Sequence, residues 1–223
     1  MTTSSENVLE PLLASPQLPR LVRRLDEILA EEAERRRAFY ERVTEGEKAE
    51  FINGQVIYHS PVRLRHNACA KRLLVLLDAH VQHHGLGYVG YEKLLISLTR
   101  NDYEPDICFF GRAKAADFRP DQMHFPAPDF VAEVISASTA AVDRGIKRVD
   151  YALHGVGEYW IVDPDGESLE QYLLDETGEA YRLALKATTG EVQSRVIAGF
   201  GIPVRAIFDD AVHRRALQAI LAG

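Results

Sequence analysis

The stretch PDFVAEVIS, residues 128–136, decides how the chain reads. As a strand it alternates, with Phe130, Ala132 and Val134 pointing to one face and Val131, Glu133 and Ile135 to the other. Both faces are apolar except at Glu133, which marks an interior strand. A carboxylate between Val131 and Ile135 loses its hydration there. It stays charged only where a cation or several hydrogen-bond donors replace the lost water. Fold and function both turn on what Glu133 faces.

Downstream of this strand, Ser138 or Thr139 can cap a helix through AAVDRGIKRVDYALHGV, with Ile146, Val149 and Leu153 as its inner face. EYWIVDP is then another buried strand, whose Tyr159 and Trp160 read as core residues rather than a base-stacking platform. Asp165-Gly166 turns the chain into SLEQYLL. EAYRLALKA and VIAGFGIPV continue a meander, and DAVHRRALQAIL closes as a helix. Upstream, YVGYEKLLISL and EPDICFF read as antiparallel strands separated by TRNDY, with Pro105 tolerable only at the start of the second. GRAKAADFRPDQMHFPAP is a looser connection. LRHNACAKRLLVLLDAHVQHHGLG carries a helical stripe of Leu73, Leu74, Leu77 and Val81, with Gly85 as its C-cap. In AEFINGQVIYHSP the period changes to two, and Asn53-Gly54 is a strong hairpin signal because both residues tolerate positive φ.

Residues 1 to about 18 read as disordered. From Pro19 a helical pattern places Leu21, Leu25, Ile28 and Leu29 on one stripe, and EEAERRRAFYERV continues it with charges on the outer face. The expected division is a tail and helical extension over 1–45 and a domain over 46–223. The order hairpin, helix, strands, helix, strand is an α/β arrangement with a mixed sheet.

With 223 residues, 46% of them hydrophobic, the chain can build one sizeable core. No run approaches the roughly 20 apolar residues of a membrane helix, and no basic segment leads into an apolar one at the start, so a cytoplasmic protein without membrane contact is expected. Cys69 and Cys108 form neither a disulfide framework nor a zinc pattern and read as buried thiols. A net charge of −7 and a pI near 5.6 exclude tight, non-specific nucleic-acid binding. Charge is uneven, however. Residues 61–100 hold six basic residues (Arg63, Arg65, Lys71, Arg72, Lys93, Arg100) against two acidic ones (Asp78, Glu92), a local +4.

Asp106, in EPDICFF, lies on the strand face opposite Ile107 and Phe109, so a second carboxylate emerges from an apolar strand. The separation from Glu133, 133 minus 106, is 27 residues, room enough for the two strands to become neighbours. Converging carboxylates share a proton or bind a hard cation, and an Asp/Glu pair without thiol or imidazole favours magnesium or manganese over zinc. Lys147 follows Glu133 by 14 residues (147 minus 133), and a helix running back along the sheet can bring its ammonium to the same cleft. The alternative is an exposed Asp143–Lys147 i, i+4 pair. His80, His83 and His84 have a spacing that can hold zinc, but at a helix end they read as solvated.

The segments EFINGQVIYHSP, EPDI and FVAEVISASTAAVDRGIKRVDYALHGVGEYWIVDP resemble the Uma2 family of restriction-endonuclease-like proteins over residues 46–210 or so. The most specific block is Glu133, Ser136, Thr139, Asp143, Lys147, Tyr151, Gly155-Val156, Glu158-Tyr159-Trp160 and Asp163-Pro164. The resemblance implies a PD-(D/E)XK nuclease core, a mixed central sheet flanked by helices, with an active site that binds Mg2+ or Mn2+. Asp106, Glu133 and the Val134 carbonyl match its metal ligands. Ile135 stands where the superfamily usually has its lysine, and Lys147 matches the family's lysine on the following helix. Glu50 and His66 match an acid before the Asn-Gly turn and a histidine at the first core helix. Ala137 replaces a proline.

On that reading Asp106, Glu133, Lys147, Glu50 and His66 are catalytic, Arg63, Arg65 and Lys71 contact nucleic acid, and the chain is a magnesium-dependent endonuclease acting on DNA. Two alternatives stay open: a non-catalytic interaction or homodimerisation module, and a phosphodiesterase acting on RNA or a small substrate.

Overall fold

Phe130–Val134 is buried along its whole length, and its two faces enter the two larger core clusters. The computed structural model describes residues 4–44 and 46–223. In chain order its elements are α1 (Ser4–Leu13), α2 (Leu18–Arg42), β1 (Ala49–Ile52), β2 (Gln55–Tyr58), α3 (Leu64–His84), β3 (Gly87–Tyr91), β4 (Leu95–Ser97), β5 (Asp102–Tyr103) and β6 (Ile107–Gly111). There follow α4 (Arg112–Ala115), β7 (His124–Phe125), β8 (Phe130–Val134), α5 (Ala140–Val142), a π turn (Asp143–Lys147) and α6 (Arg148–Leu153). The chain ends with β9 (Glu158–Asp163), β10 (Ser168–Leu174), β11 (Tyr181–Ala187), β12 (Glu191–Gln193), β13 (Gly201–Pro203), a 3-10 turn (Val204–Ile207) and α7 (Asp210–Ala222).

The central sheet has the order β11-β10-β9-β8-β6-β3 and is mixed: β8 and β9 run parallel, and the other pairs run antiparallel. A second sheet, β2-β1-β5-β4-β7, is built around the Asn53-Gly54 hairpin, where Asn53 has φ 49° and Gly54 φ 78°. One face of β8 (Phe130, Ala132, Val134) joins Leu73, Leu76, Leu77 and Val81 of α3, Trp160, and Ala216 of α7. The other (Val131, Ile135) joins Ile96, Tyr103, Phe110, Tyr151, Tyr159 and Ile161. The central sheet is thus covered by helices on one side and by the second sheet with the π turn and α6 on the other, the layering its two-sided apolar strands require.

Several expectations are corrected. YVGYEKLLISL is not one strand: positive φ at Glu92 (42°) and Lys93 (29°) ends β3, and the chain re-enters as β4 in the other sheet. Leu74 is only partly buried on α3, and Leu76 fills the core in its place. Of VIAGFGIPV only Gly201–Pro203 is a strand, paired with β12 in a separate ribbon. At the start, residues 4–18 are largely helical as α1 and the first residue of α2. Pro11 and the Ser/Thr-rich opening masked the spacing of Leu9, Leu12 and Leu13, while residues 1–3 lie outside the described part.

His80 is buried, with Nε2 2.9 Å from the Ala198 carbonyl, so only His83 and His84 are the solvated helix end expected of all three. Cys69 and Cys108 are free and buried, and burial pushes the Cys69 thiol up to about 11. Tyr159 and Trp160 are fully buried. No described helix is long and apolar enough to cross a membrane.

The inner face of the helix after β8 is the most informative correction. Of the expected inner face only Ile146 packs on the core; Val149 and Leu153 are 52% and 59% exposed, whereas Asp143, Lys147 and Tyr151 are buried. A π turn is wider than an α turn, so residues four apart stack nearly in line, and such turns concentrate at functional sites. The widened turn aims a charged line, rather than the apolar one, at the sheet.

Candidate active site

The ladder between β6 and β8 runs from Phe109↔Phe130 to Ile107↔Ala132 and stops there. Beyond it the two strands are joined through their acids. The Asp106 amide donates to Glu133 Oε2 at 3.2 Å, and the Val134 amide donates to Asp106 Oδ2 at 2.9 Å. These crossed bonds satisfy backbone donors that the ladder no longer reaches, which is why the strands can part at this end without orphaned amides. They also bring Asp106 and Glu133 together, as the sequence predicts.

Each acid carries a cation. Lys147 Nζ lies 3.0 Å from Glu133 Oε1, 2.8 Å from Glu50 Oε1 and 3.3 Å from Asp143 Oδ1, with its side chain only 4% exposed. Tyr151 Oη donates to Glu133 Oε1 at 3.4 Å, and the Lys147 ammonium sits 5.7 Å from the centre of the Tyr103 ring. Asp106 Oδ1 is 3.0 Å from Lys48 Nζ, and Oδ2 is 3.4 Å from His66 Nε2. Glu50 comes from the second sheet, where its Oε1 accepts from the Glu104 amide at 2.9 Å and His59 Nε2 stands 3.0 Å from Oε2. Ala49 faces Tyr58 and Glu50 faces Ile57, so His59 is the diagonal cross-strand neighbour of Glu50 on one face of the hairpin.

Burial and charge work against each other here. Burial, with Asp143, Asp106 and Glu50 nearby, pushes the Glu133 carboxyl up to about 8 even though Lys147 pulls it down. Burial also raises Asp143. Burial would raise Asp106 as well, but His66, the Lys48 ammonium and the Val134 amide hold it well below the usual carboxylate range. Lys147 and His59 likewise outweigh burial at Glu50 and bring it to about 2. Both lysines stay charged: burial opposes this, but Glu133 and Glu50 hold Lys147 up, and Asp106 and Glu133 hold Lys48 up.

The site opens on the side of Lys48, whose side chain is 24% exposed, while Glu50, Glu133 and Lys147 form its closed floor. Arg63 is the exposed N-cap of α3, one turn before His66, and Lys71 is exposed further along the same helix. Arg65 is half-exposed and reaches Asp165 at 2.7 Å. His66 Nδ1 is buried with no hydrogen-bond partner among the described residues.

Among the described residues no group of three or more His, Cys, Asp or Glu is placed to share one ion. What is present, two adjoining carboxylates without thiolate, fits the chemistry of magnesium or manganese, which take one or two carboxylates and keep several waters. Lys48 and Lys147 occupy oxygens such an ion would use.

Sequence reading missed Lys48, His59, Tyr151 and the buried position of Asp143. Lys48 precedes Glu50 by two and so shares its strand face, and Asp143 and Tyr151 flank Lys147 by four on either side. The exposed Asp143–Lys147 pair entertained from spacing does not occur, since both residues are buried.

A mixed central sheet flanked by helices, with two acids meeting where neighbouring strands part, is similar to the core of restriction-endonuclease-like proteins. The Uma2 model, described as "Putative restriction endonuclease", matches residues 32–205, and the chain belongs to this family. A crystal structure of a putative nuclease belonging to DUF820 from Anabaena variabilis ATCC 29413 is similar with a TM-score of 0.65 and 16% identity, covering 76% of this chain and 94% of that one. At that identity the likeness is one of fold. No curated relative matches.

Proposed function

We propose that the chain is a cytoplasmic, metal-dependent endonuclease that hydrolyses DNA phosphodiesters, with its catalytic domain over residues 46–223 and the extension over 1–45. Asp106, Glu133 and the Val134 carbonyl would hold Mg2+ or Mn2+. When bound, such an ion supplies a hydroxide at neutral pH and polarises the scissile phosphate. Lys147 fixes the orientation of Glu133 and keeps positive charge behind the reacting centre, serving in place of the lysine that Ile135 does not provide. Glu50 and Asp143 hold that ammonium in position. On the open side, Lys48 and His66 meet the incoming phosphate, and His66 can give a proton to the leaving oxygen. Arg63, Arg65 and Lys71 line the approach and offset the overall negative charge of the chain.

One observation carries this reading: the crossed amide–carboxylate bonds that bring Asp106 and Glu133 to one strand end beside a buried lysine. The test is nicking of supercoiled plasmid with Mg2+ or Mn2+, set beside linear DNA, single-stranded DNA, RNA and a small phosphodiester. Metal-dependent nicking that Glu133→Gln and Asp106→Asn abolish supports it. Cleavage confined to RNA or the small ester would replace DNA as substrate, and no cleavage of any of them would leave a non-catalytic module. The charge net itself favours that second reading, since lysines already neutralise the acids.

A further inference from the structure

The N-terminal half of α2 lies ahead of the family match, which begins at residue 32. Glu32 is also the first buried residue of this helix. From there on α2 is anchored: Arg100 grips Glu32 at 2.7 and 2.8 Å, Arg36 grips the buried Asp102 at 2.6 and 2.8 Å, and Phe39 stacks on Phe51. Before Glu32, among the described residues, no ion pair or ring contact ties it to the domain, and only Leu18, Leu21 and Ile28 are half-buried. Val22, Leu25 and Leu29 stand 46%, 53% and 51% exposed, at spacings of three and four that set them on one line. Such a line is the narrow apolar seam by which one helix packs along another.

Charge identifies the occupant. Arg20, Arg23 and Arg24 form a block without acids, and Asp26, Glu27, Glu31 and Glu34 form a block without bases. The pairs within the helix are solvent-exposed and easily exchanged, as at Arg24–Glu27, where the side chains are 60% and 63% exposed. A second copy laid antiparallel sets the basic block of each helix beside the acidic block of the other, whereas a parallel copy opposes arginine to arginine. The acidic block also disfavours nucleic acid or an anionic membrane surface on this face.

We propose that the chain forms a two-fold homodimer in which the N-terminal halves of two α2 helices pair antiparallel through Val22, Leu25 and Leu29. The contact is self-complementary, the same patch serving on both copies. It does not depend on the nuclease chemistry.

The test is sedimentation equilibrium of the full chain over a wide concentration range, with far-UV circular dichroism as the check on folding. Wild type is expected to dimerise, and Leu25→Asp with Leu29→Asp to weaken dimerisation on the order of a hundredfold while keeping its helix content. Reversing the basic block (Arg20, Arg23 and Arg24 to Glu) is expected to give a monomer, as is reversing the acidic block (Asp26, Glu27 and Glu31 to Lys). Mixing the two is expected to restore a dimer. A wild type monomeric at every concentration would overturn the proposal and assign the seam to another partner. A dimer indifferent to the leucine and charge variants would overturn it in favour of a different face.

Discussion

Replacing Lys48 by methionine keeps most of the apolar stem and removes the ammonium 3.0 Å from Asp106 Oδ1. In an effective dielectric near 20, two unit charges at that separation attract by roughly 5 kcal/mol. Desolvation of a pair this deeply placed, and the side-chain order it demands, cancel most of that and leave about 1–2 kcal/mol net. A divalent ion arriving at Asp106 must displace Lys48 and forfeit this net attraction. Each 1.4 kcal/mol is tenfold in affinity, so Lys48→Met is expected to bind Mn2+ about tenfold more tightly than wild type in calorimetric titration at constant ionic strength. Nicking should not rise in parallel, because the same ammonium faces the incoming phosphate. Unchanged or weaker Mn2+ binding in a folded Lys48→Met protein would refute the idea that lysine and metal compete for one oxygen.

Burial pushes the Glu133 carboxyl up, so Mn2+ binding near neutral pH should be accompanied by proton release; titrations in buffers of different ionisation enthalpy measure it, and the release should fade as pH rises. The metal-free protein should lose stability as pH rises from about 4.5 through 8, since a carboxyl raised by burial favours the folded state only while protonated; Glu133→Gln should flatten that limb in pH-dependent denaturation. Glu170 has the opposite sign: burial raises it, but Arg144, Lys186 and Tyr172 hold it at about 2. It stabilises above its unfolded value of 4.5 and loses this as pH falls toward 2, so Glu170→Gln should flatten the acid limb. Glu158, fully buried, accepts from Trp160 Nε1, Gln171 Nε2, Ser194 Oγ and the Arg195 and Val196 amides. Glu158→Leu orphans these donors and should cost about 3 kcal/mol in urea denaturation, without a direct effect on metal binding.

The fold was legible in sequence wherever alternation was unbroken. PDFVAEVIS and EYWIVDP are apolar on both faces and can only be interior strands, and they do lie side by side in the middle of the sheet. The adjacency of Asp106 and Glu133 was legible for the same reason, since a lone acid on such a strand needs a partner. Periodicity failed after β8, because apolar spacing scored for an α helix turns Val149 and Leu153 inward, while the π turn brings in Asp143, Lys147 and Tyr151. Lys48 and His59 share the hairpin face of Glu50, which the alternation does show, but that this face meets Asp106 depends on how one sheet packs against the other, a contact that no local pattern encodes. The break at Glu92 and Lys93 was hidden because neither residue type advertises a positive φ.

The most direct test counts Mn2+ ions bound to wild type and to Glu133→Gln by electron paramagnetic resonance at neutral pH, with folding verified in both proteins. If the paired acids form the metal site, wild type binds an ion that the variant holds at least tenfold more weakly. Equal binding in the two proteins, or none in either, would contradict it.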